Sequence, residues 1–190
     1  VDSGGANISS VLFALERLGA RAELTSDADK ICGAERVILP GVGAAGAAMH
    51  KLRALGLVDI LSRLEQPVLG VCLGMQLLFE TSEEGETPML GLLPGTVQHF
   101  TPAPGRTVPH MGWNSVDTRG DHPLLKDLPQ ESYFYFVHSY AAPCGDYTIG
   151  ACDYGGDFSA IVAQNNFMGC QFHPERSGSV GAQILKNFLE

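Results

Sequence analysis

The chain has 190 residues, 45% of them hydrophobic and 17% charged, with 23 Gly and 11 Pro scattered along it; that length suits one sizeable domain, and the composition excludes disordered, collagen-like and low-complexity chains. Twelve Lys and Arg face 21 Asp and Glu, a formal net charge of −9 with no basic run, so the electrostatic footprint for nucleic acid or anionic membrane is missing. The longest apolar stretches, such as 67–71 and 75–79, fall far short of the ~20 residues that span a bilayer, and no basic n-region with a cleavage site opens the chain, which points to a cytoplasmic protein.

Val1-Asp2 reads as the end of a first strand whose beginning is absent, or as a very short strand. Ile8, Val11, Leu12, Leu15 and Leu18 then recur at helical spacing between a cap at Asn7 and Gly19. A β-rich run over 36–39 ends in Pro40-Gly41-Val42-Gly43 and precedes a helix with Met49, Leu52 and Leu55 on one side. A second buried strand over 68–71 leads into a largely buried helix over 73–81, carried by Met75, Leu77, Leu78 and Phe79. Strands alternating with helices in this way predict a parallel sheet with helices on its faces.

The second half is richer in β signal, over 96–100, 113–116, 133–140, 147–153 and 160–164, separated by Gly, Pro and Asp turns. A mixed sheet is expected there. A strand over 168–173 and a last helix with Val180, Ile184, Leu185 and Phe188 inward close a single α/β domain over 1–190.

The five cysteines are an odd number without CxxC spacing, so neither a disulfide framework nor a zinc site is indicated. Cys72 differs from the others. Gly70-Val71-Cys72-Leu73-Gly74 has the G-x-nucleophile-x-G form of a strand-to-helix elbow, in which small neighbours permit a sharp turn that exposes the central side chain. Free N–H groups at a helix start favour thiolate over thiol there. The competing reading is a buried cysteine between packing glycines. Cys32, Cys144, Cys152 and Cys170 lack such a frame.

A thiol hydrolase needs a general acid/base. Among six histidines, His173 follows a strand-like run and precedes Pro174-Glu175. The proline stops the strand and stiffens a turn that brings the Glu175 carboxylate to the imidazole. His50 reads as a surface residue on a helix, and His99 and His122 carry no supporting pattern. Pro40-Gly41-Val42-Gly43 is a glycine loop whose N–H groups can line an oxyanion site, or a plain turn. It lacks the Lys-Ser/Thr of a phosphate loop.

With Pro-Gly-Val-Gly at 40–43, Gly-Val-Cys-Leu-Gly-Met-Gln at 70–76 and Gln-Phe-His-Pro-Glu at 171–175 in that order, the chain resembles class I (triad) glutamine amidotransferases over almost its whole length. Within that class, the runs at 109–114, 136–140 and 173–177 are similar to those of the glutaminase subunits of imidazole glycerol phosphate synthases.

The resemblance implies a central mixed sheet flanked by helices with a nucleophile elbow at Cys72. It implies glutamine hydrolysis without metal or organic cofactor by Cys72 as nucleophile, His173 as acid/base and Glu175 as orienting carboxylate. Gly41, Val42, Gly43 and Leu73 would form the oxyanion site, and Gln76, Glu84, Ser139 and Tyr140 would meet glutamine. The implied partner is a TIM-barrel cyclase that takes the ammonia for histidine biosynthesis and binds the phosphorylated substrate itself. Asn7, Met111, Trp113, Asn114, Tyr135 and Arg176 would lie at that interface or along the ammonia passage.

Three residues also have plainer readings: Trp113 as a core aromatic, Gln76 as a polar position on a buried helix and Glu84 as a solvated acid. The competing functions are a glutaminase serving another class I amidotransferase, a cysteine peptidase or γ-glutamyl hydrolase with the same triad, and a catalytically silent binding subunit.

Overall fold

A computed structural model describes residues 1–2 and 8–190. The cap at Asn7 and its interface role lie outside the described residues. In chain order the elements are α1 (Ile8–Arg17), α2 (Ala28–Cys32), β1 (Val37–Gly41), α3 (Ala45–Ala54), α4 (Leu57–Ser62), β2 (Val68–Cys72), α5 (Leu73–Gln76), β3 (Phe79–Ser82), β4 (Thr87–Pro88) and β5 (Leu93–His99). They continue with β6 (His110–Thr118), β7 (Ser132–His138), β8 (Tyr140–Ala141), β9 (Thr148–Asp153), β10 (Asp157–Gln164), β11 (Phe167–Cys170) and α6 (Gly178–Leu189). Short 3-10 turns occupy Glu84–Glu86, Pro123–Leu125 and Pro174–Arg176.

Among the described residues, seven strands form one sheet in the order β1-β2-β11-β10-β9-β6-β7, and four form a smaller one in the order β4-β3-β5-β8. The large sheet is mixed. β1, β2 and β11 run parallel, and the pairs from β11 through β10, β9 and β6 to β7 are antiparallel. All five residues of β2 are buried, as an interior strand covered on both faces requires.

Alternation along β2 sends Val68 into one apolar cluster, with Leu39, Met49, Leu52 and Leu57, and Leu69 and Val71 into the other, with Leu15, Phe134, Phe172, Ile184 and Leu185. The expected faces of the first and last helices hold, with Val11, Leu15, Ile184, Leu185 and Phe188 buried. Gly19, at φ 79°, lies just past α1.

The helix expected over 73–81 is one turn long. α5 ends at Gln76, and Phe79 begins β3 of the smaller sheet. An unbroken apolar run fills either element equally well, and Leu77, Leu78 and Phe79 are fully buried as they stand. The strand expected over 133–140 breaks at Ser139: β7 stays in the large sheet, while Tyr140 pairs with His99 in the small one. The strand expected over 168–173 stops at Cys170, and the His173 N–H turns to Tyr135 O. Val1-Asp2 forms no strand, although Val1 N donates to Ile38 O at 2.7 Å.

Candidate active site

The C-terminal ends of three neighbouring parallel strands deliver the distinctive residues to one place, the edge where open α/β sheets build their sites. β1 ends at Gly41, which pairs in register with Cys72 at the end of β2. β11 pairs Cys170 with Val71, and three residues further on comes His173.

Cys72 has φ 54° and ψ −112°, an unfavourable conformation for a residue with a Cβ. Close approach of the elbow to the two strands beneath it holds the residue there. A Cβ on Gly70 would lie 2.6 Å from Gly74 O, one on Gly74 1.7 Å from Leu39 O, and one on Gly41 2.9 Å from Gly74 N. The spacing of the glycines is therefore the spacing of the contacts that seat the turn. Because α5 is a single turn, it brings no long macrodipole to the sulfur.

His173 is buried at the turn that follows β11. Its Nδ1 lies 2.9 Å from Glu175 Oε1, so Nε2 is the nitrogen left for the sulfur. Burial opposes charge on this imidazole, but the interactions with Cys72 and Glu175 outweigh it and raise its pKa to about 10. The Glu175 side chain is 2% exposed. Its Oε2 has no hydrogen-bond partner among the described residues, so the carboxylate is committed to His173.

The turn that carries this pair is clamped. Ser177 Oγ donates to His173 O at 2.7 Å and accepts from Tyr135 N at 3.0 Å. Phe172 stacks on Phe134 with centroids 3.9 Å apart. A Cβ on Gly181 would lie 2.1 Å from Pro174 O, which is how closely α6 packs on the turn.

One consequence is testable through stability. The folded-state pKa of His173 is raised above its unfolded value near 6.5, so this group's stabilisation is fully present below that value and is lost as pH rises through about 10. Glu175→Gln preserves shape but removes a negative charge that supports the imidazolium. The gap in urea midpoint between the parent and Glu175→Gln is expected to be widest near pH 6.5 and to shrink above pH 10; a gap independent of pH contradicts the assignment.

The other predicted site residues fall into place unevenly. Gln76 is buried and bridges Tyr140 O and Gln171 Oε1, each at 2.9 Å, on the same side of the site as Cys72. Ser139 O accepts from Phe100 N. Glu84 Oε2 accepts from Ala45 N at 2.7 Å and so caps α3 just after the glycine loop. Leu73 opens α5 and is buried against the first apolar cluster. Gly43 has φ 98° and open space around its Cα.

Met111 and Trp113 are exposed at 62% and 57%. The only Trp of the chain is thus a surface residue rather than a core one. Trp113 pairs across the strands with Tyr135, rings 6.1 Å apart, and Arg176 is exposed on the turn after His173. Asn114 points the other way, inward to His110 and Asp153 O.

Sequence reasoning assigns no role to three side chains that the fold buries: Gln171, His110 and His138. Alternation along β6 and β7 puts His110 and His138 on the inward face, but nothing local marks Gln171. Among the described residues, no three of His, Cys, Asp and Glu gather as a metal-binding group, and no helix is long and apolar enough to cross a membrane.

The chain is similar to known proteins in sequence and in fold. The chain is 57% identical over 190 residues to the imidazole glycerol phosphate synthase subunit HisH of Xanthomonas campestris pv. campestris strain 8004, covering 100% of this chain and 95% of that protein. It is 56% identical, with the same coverage, to the HisH subunit of Xylella fastidiosa strain Temecula1. In structure it is similar to a putative GMP synthase protein from Thermoplasma acidophilum, with TM-score 0.73 and 20% identity over 100% of this chain and 89% of that one. A glutamine amidotransferase from Thermotoga maritima superposes with TM-score 0.65 and 16% identity over 100% and 93%. At those identities the structural likeness speaks for the fold alone. The family described as glutamine amidotransferase class-I matches residues 1–190, and together with relatives of this identity it establishes that the chain belongs to the class-I glutamine amidotransferases, enzymes that hydrolyse glutamine.

Proposed function

We propose that the chain is the glutamine-hydrolysing subunit of an imidazole glycerol phosphate synthase, and that Cys72, His173 and Glu175 carry the hydrolysis. The observation that carries this reading is a strained Cys72 at the end of β2 and, after the neighbouring β11, a buried His173 whose Nδ1 is held by Glu175. Cys72 thiolate attacks the side-chain carbonyl carbon of glutamine. The His173 imidazolium protonates the departing nitrogen as the C–N bond breaks, leaving a γ-glutamyl thioester and ammonia. Neutral His173 then takes a proton from water, the hydroxide adds to the thioester, and the C–S bond breaks to restore the thiolate. Glutamic acid loses its proton to solvent.

The oxyanion needs N–H donors from Leu73 and from the loop at 41–43. Gly41 is pinned by its contact with α5, whereas a side chain at Gly43 would meet nothing within 4 Å. A peptide reorientation that aims or withdraws the loop donor therefore belongs to the Val42–Gly43 end, where glycine crosses φ space without steric cost. One oxyanion donor is worth about 100-fold or more in rate, so such a flip gates the enzyme.

The ammonia acceptor is a TIM-barrel cyclase in the cytoplasm, docked on the face that carries Met111, Trp113, Tyr135 and Arg176. That partner holds the phosphorylated substrate, in keeping with a chain of net charge −9 and no phosphate loop.

The test is glutamate release by the chain alone, with its cyclase, and with the cyclase loaded with its nucleotide substrate. A low rate alone that rises by about 100-fold in the loaded complex is expected from one gated donor. Fast, partner-independent hydrolysis keeps the triad but overturns the gating and points to a different amidotransferase or hydrolase role.

A further inference from the structure

Gln171 follows directly after β11, is fully buried, and places Nε2 3.8 Å from Cys72 Sγ. The two ends of an amide have nearly the same shape, so which end faces the sulfur must be decided by its partners. A backbone carbonyl two hydrogen bonds away decides it. Tyr140 O can only accept, so Gln76 turns its amino group toward it, at 2.9 Å. The second hydrogen on the same Nε2 meets Gln171, also at 2.9 Å, and the atom receiving it must be Oε1. Nε2 of Gln171 is what remains for Sγ.

The Tyr140 carbonyl is itself held by a second donor. His138 Nδ1 lies 2.8 Å from it and so bears the proton, leaving His138 Nε2 to accept from His110 Nδ1 at 2.9 Å. His110 Nε2 is then an acceptor and faces Asn114 Nδ2 at 3.4 Å. The direction of Asn114 is set by Ser115 N, which donates to its Oδ1 at 2.9 Å, and by Asp153 O, which accepts from its Nδ2 at 3.0 Å. Both imidazoles are neutral in this arrangement, and burial, which pulls His110 to about 4 and His138 to about 3, keeps them so. His110 is also stacked between Phe136 and Tyr154.

We propose that Gln171 is a further catalytic residue, donating its Nε2–H to the Cys72 thiolate, with the direction of its amide imposed through Gln76 by the Tyr140 carbonyl. The proposal rests on the reading of Cys72 as the nucleophile. A donated N–H favours S⁻ over S–H because the anion is the stronger acceptor. The titratable groups facing Sγ are His173 and, from β11, Cys170, whose thiol burial pushes far up and so keeps neutral. Gln171 adds a donor that does not titrate, and it meets the sulfur again as the C–S bond of the thioester breaks and the thiolate is restored. Both Nε2 hydrogens of Gln76 are committed to this chain, so what Gln76 has to offer a bound glutamine is its carbonyl oxygen.

The test is alkylation of Cys72 by iodoacetamide against pH, with the exposed Cys32 and Cys144 changed to Ser. Gln171→Glu is nearly isosteric but sets an acceptor where the donor stood. Its alkylation at neutral pH is expected to be about tenfold slower than the parent's, the gap closing at alkaline pH; an unchanged rate in a variant with the parent's melting behaviour overturns the proposal. The unmutated side chain gives a second readout that needs no folded variant. The Gln171 side-chain NH₂ signals in a ¹⁵N spectrum are expected to move with the pH midpoint of Cys72 alkylation and to lose that movement in Cys72→Ser. Signals indifferent to Cys72 overturn the proposal as well. A parent whose Cys72 resists alkylation at every pH overturns the nucleophile reading and the proposal together, which separates that failure from one confined to Gln171.

Discussion

Replacing Cys72 by Ala is expected to lower glutamate release in the partner-loaded complex by about ten-thousand-fold or more. Removing a covalent nucleophile leaves only binding and oxyanion stabilisation, and water is a poor substitute at an amide carbon. No other thiol can take over. Burial pushes Cys152 up to about 12, and Cys170, fully enclosed on β11, is raised well above the usual thiol range, so both are protonated at neutral pH. Cys32 and Cys144 are exposed and stand outside the elbow. The substitution keeps a Cβ at φ 54°, so the backbone strain stays as it was, and what stability it costs is the support that Cys72 lends the His173 imidazolium. A Cys72→Ala protein that keeps glutamate release within tenfold of the parent would remove the thioester route from consideration.

The parts of the site legible in the sequence are those whose chemistry is written in local geometry. Gly70-Val71-Cys72-Leu73-Gly74 announces the elbow because each glycine answers a contact within a few residues or on the adjacent strand. His173-Pro174-Glu175 announces the acid/base pair because the proline fixes where the carboxylate lies relative to the ring. What stays hidden depends on distant partners. The run over 73–81 is apolar enough for a helix or a strand, and only the docking of Phe79 beside Leu93 in the smaller sheet decides it. Trp113 reads equally as core or surface until the register with β7 places it opposite Tyr135 on the exposed face. Asn114, one residue on, necessarily faces the other way, so the run at 109–114 serves two faces and not one. Glu84 reads either as a contact to glutamine or as a solvated acid, and its capping role is hidden because the N–H it caps belongs to Ala45, 39 positions away. The donor end of Gln171 is least legible of all, since it is set by a carbonyl on another sheet.

Gly74→Ala is expected to cost about 3–5 kcal/mol of stability and, in whatever fraction remains folded, about 100-fold in activity. The added Cβ would sit 1.7 Å from Leu39 O and 2.7 Å from Leu39 C. Both are backbone atoms of β1, whose Leu39 pairs in register with Gly70 of β2, so no side-chain rotation can relieve the overlap. Either α5 lifts away from the sheet or β1 shifts against β2. Both movements reach the chemistry, because the elbow fixes Cys72 Sγ relative to His173, and β1 carries the glycine loop. Gly46 supplies the control. It lies in the first turn of α3, and a Cβ there would meet only Thr87 Oγ1, at an ordinary 3.5 Å. Gly46→Ala is therefore expected to be neutral or to stabilise by up to about 1 kcal/mol through helix propensity. Urea denaturation of the two variants beside the parent, with glutamate release measured in the loaded complex, separates a general glycine effect from the specific contact. If Gly74→Ala melts and turns over like the parent, the backbone contact between α5 and β1 is not what seats the nucleophile, and the strain at Cys72 must be held by other neighbours.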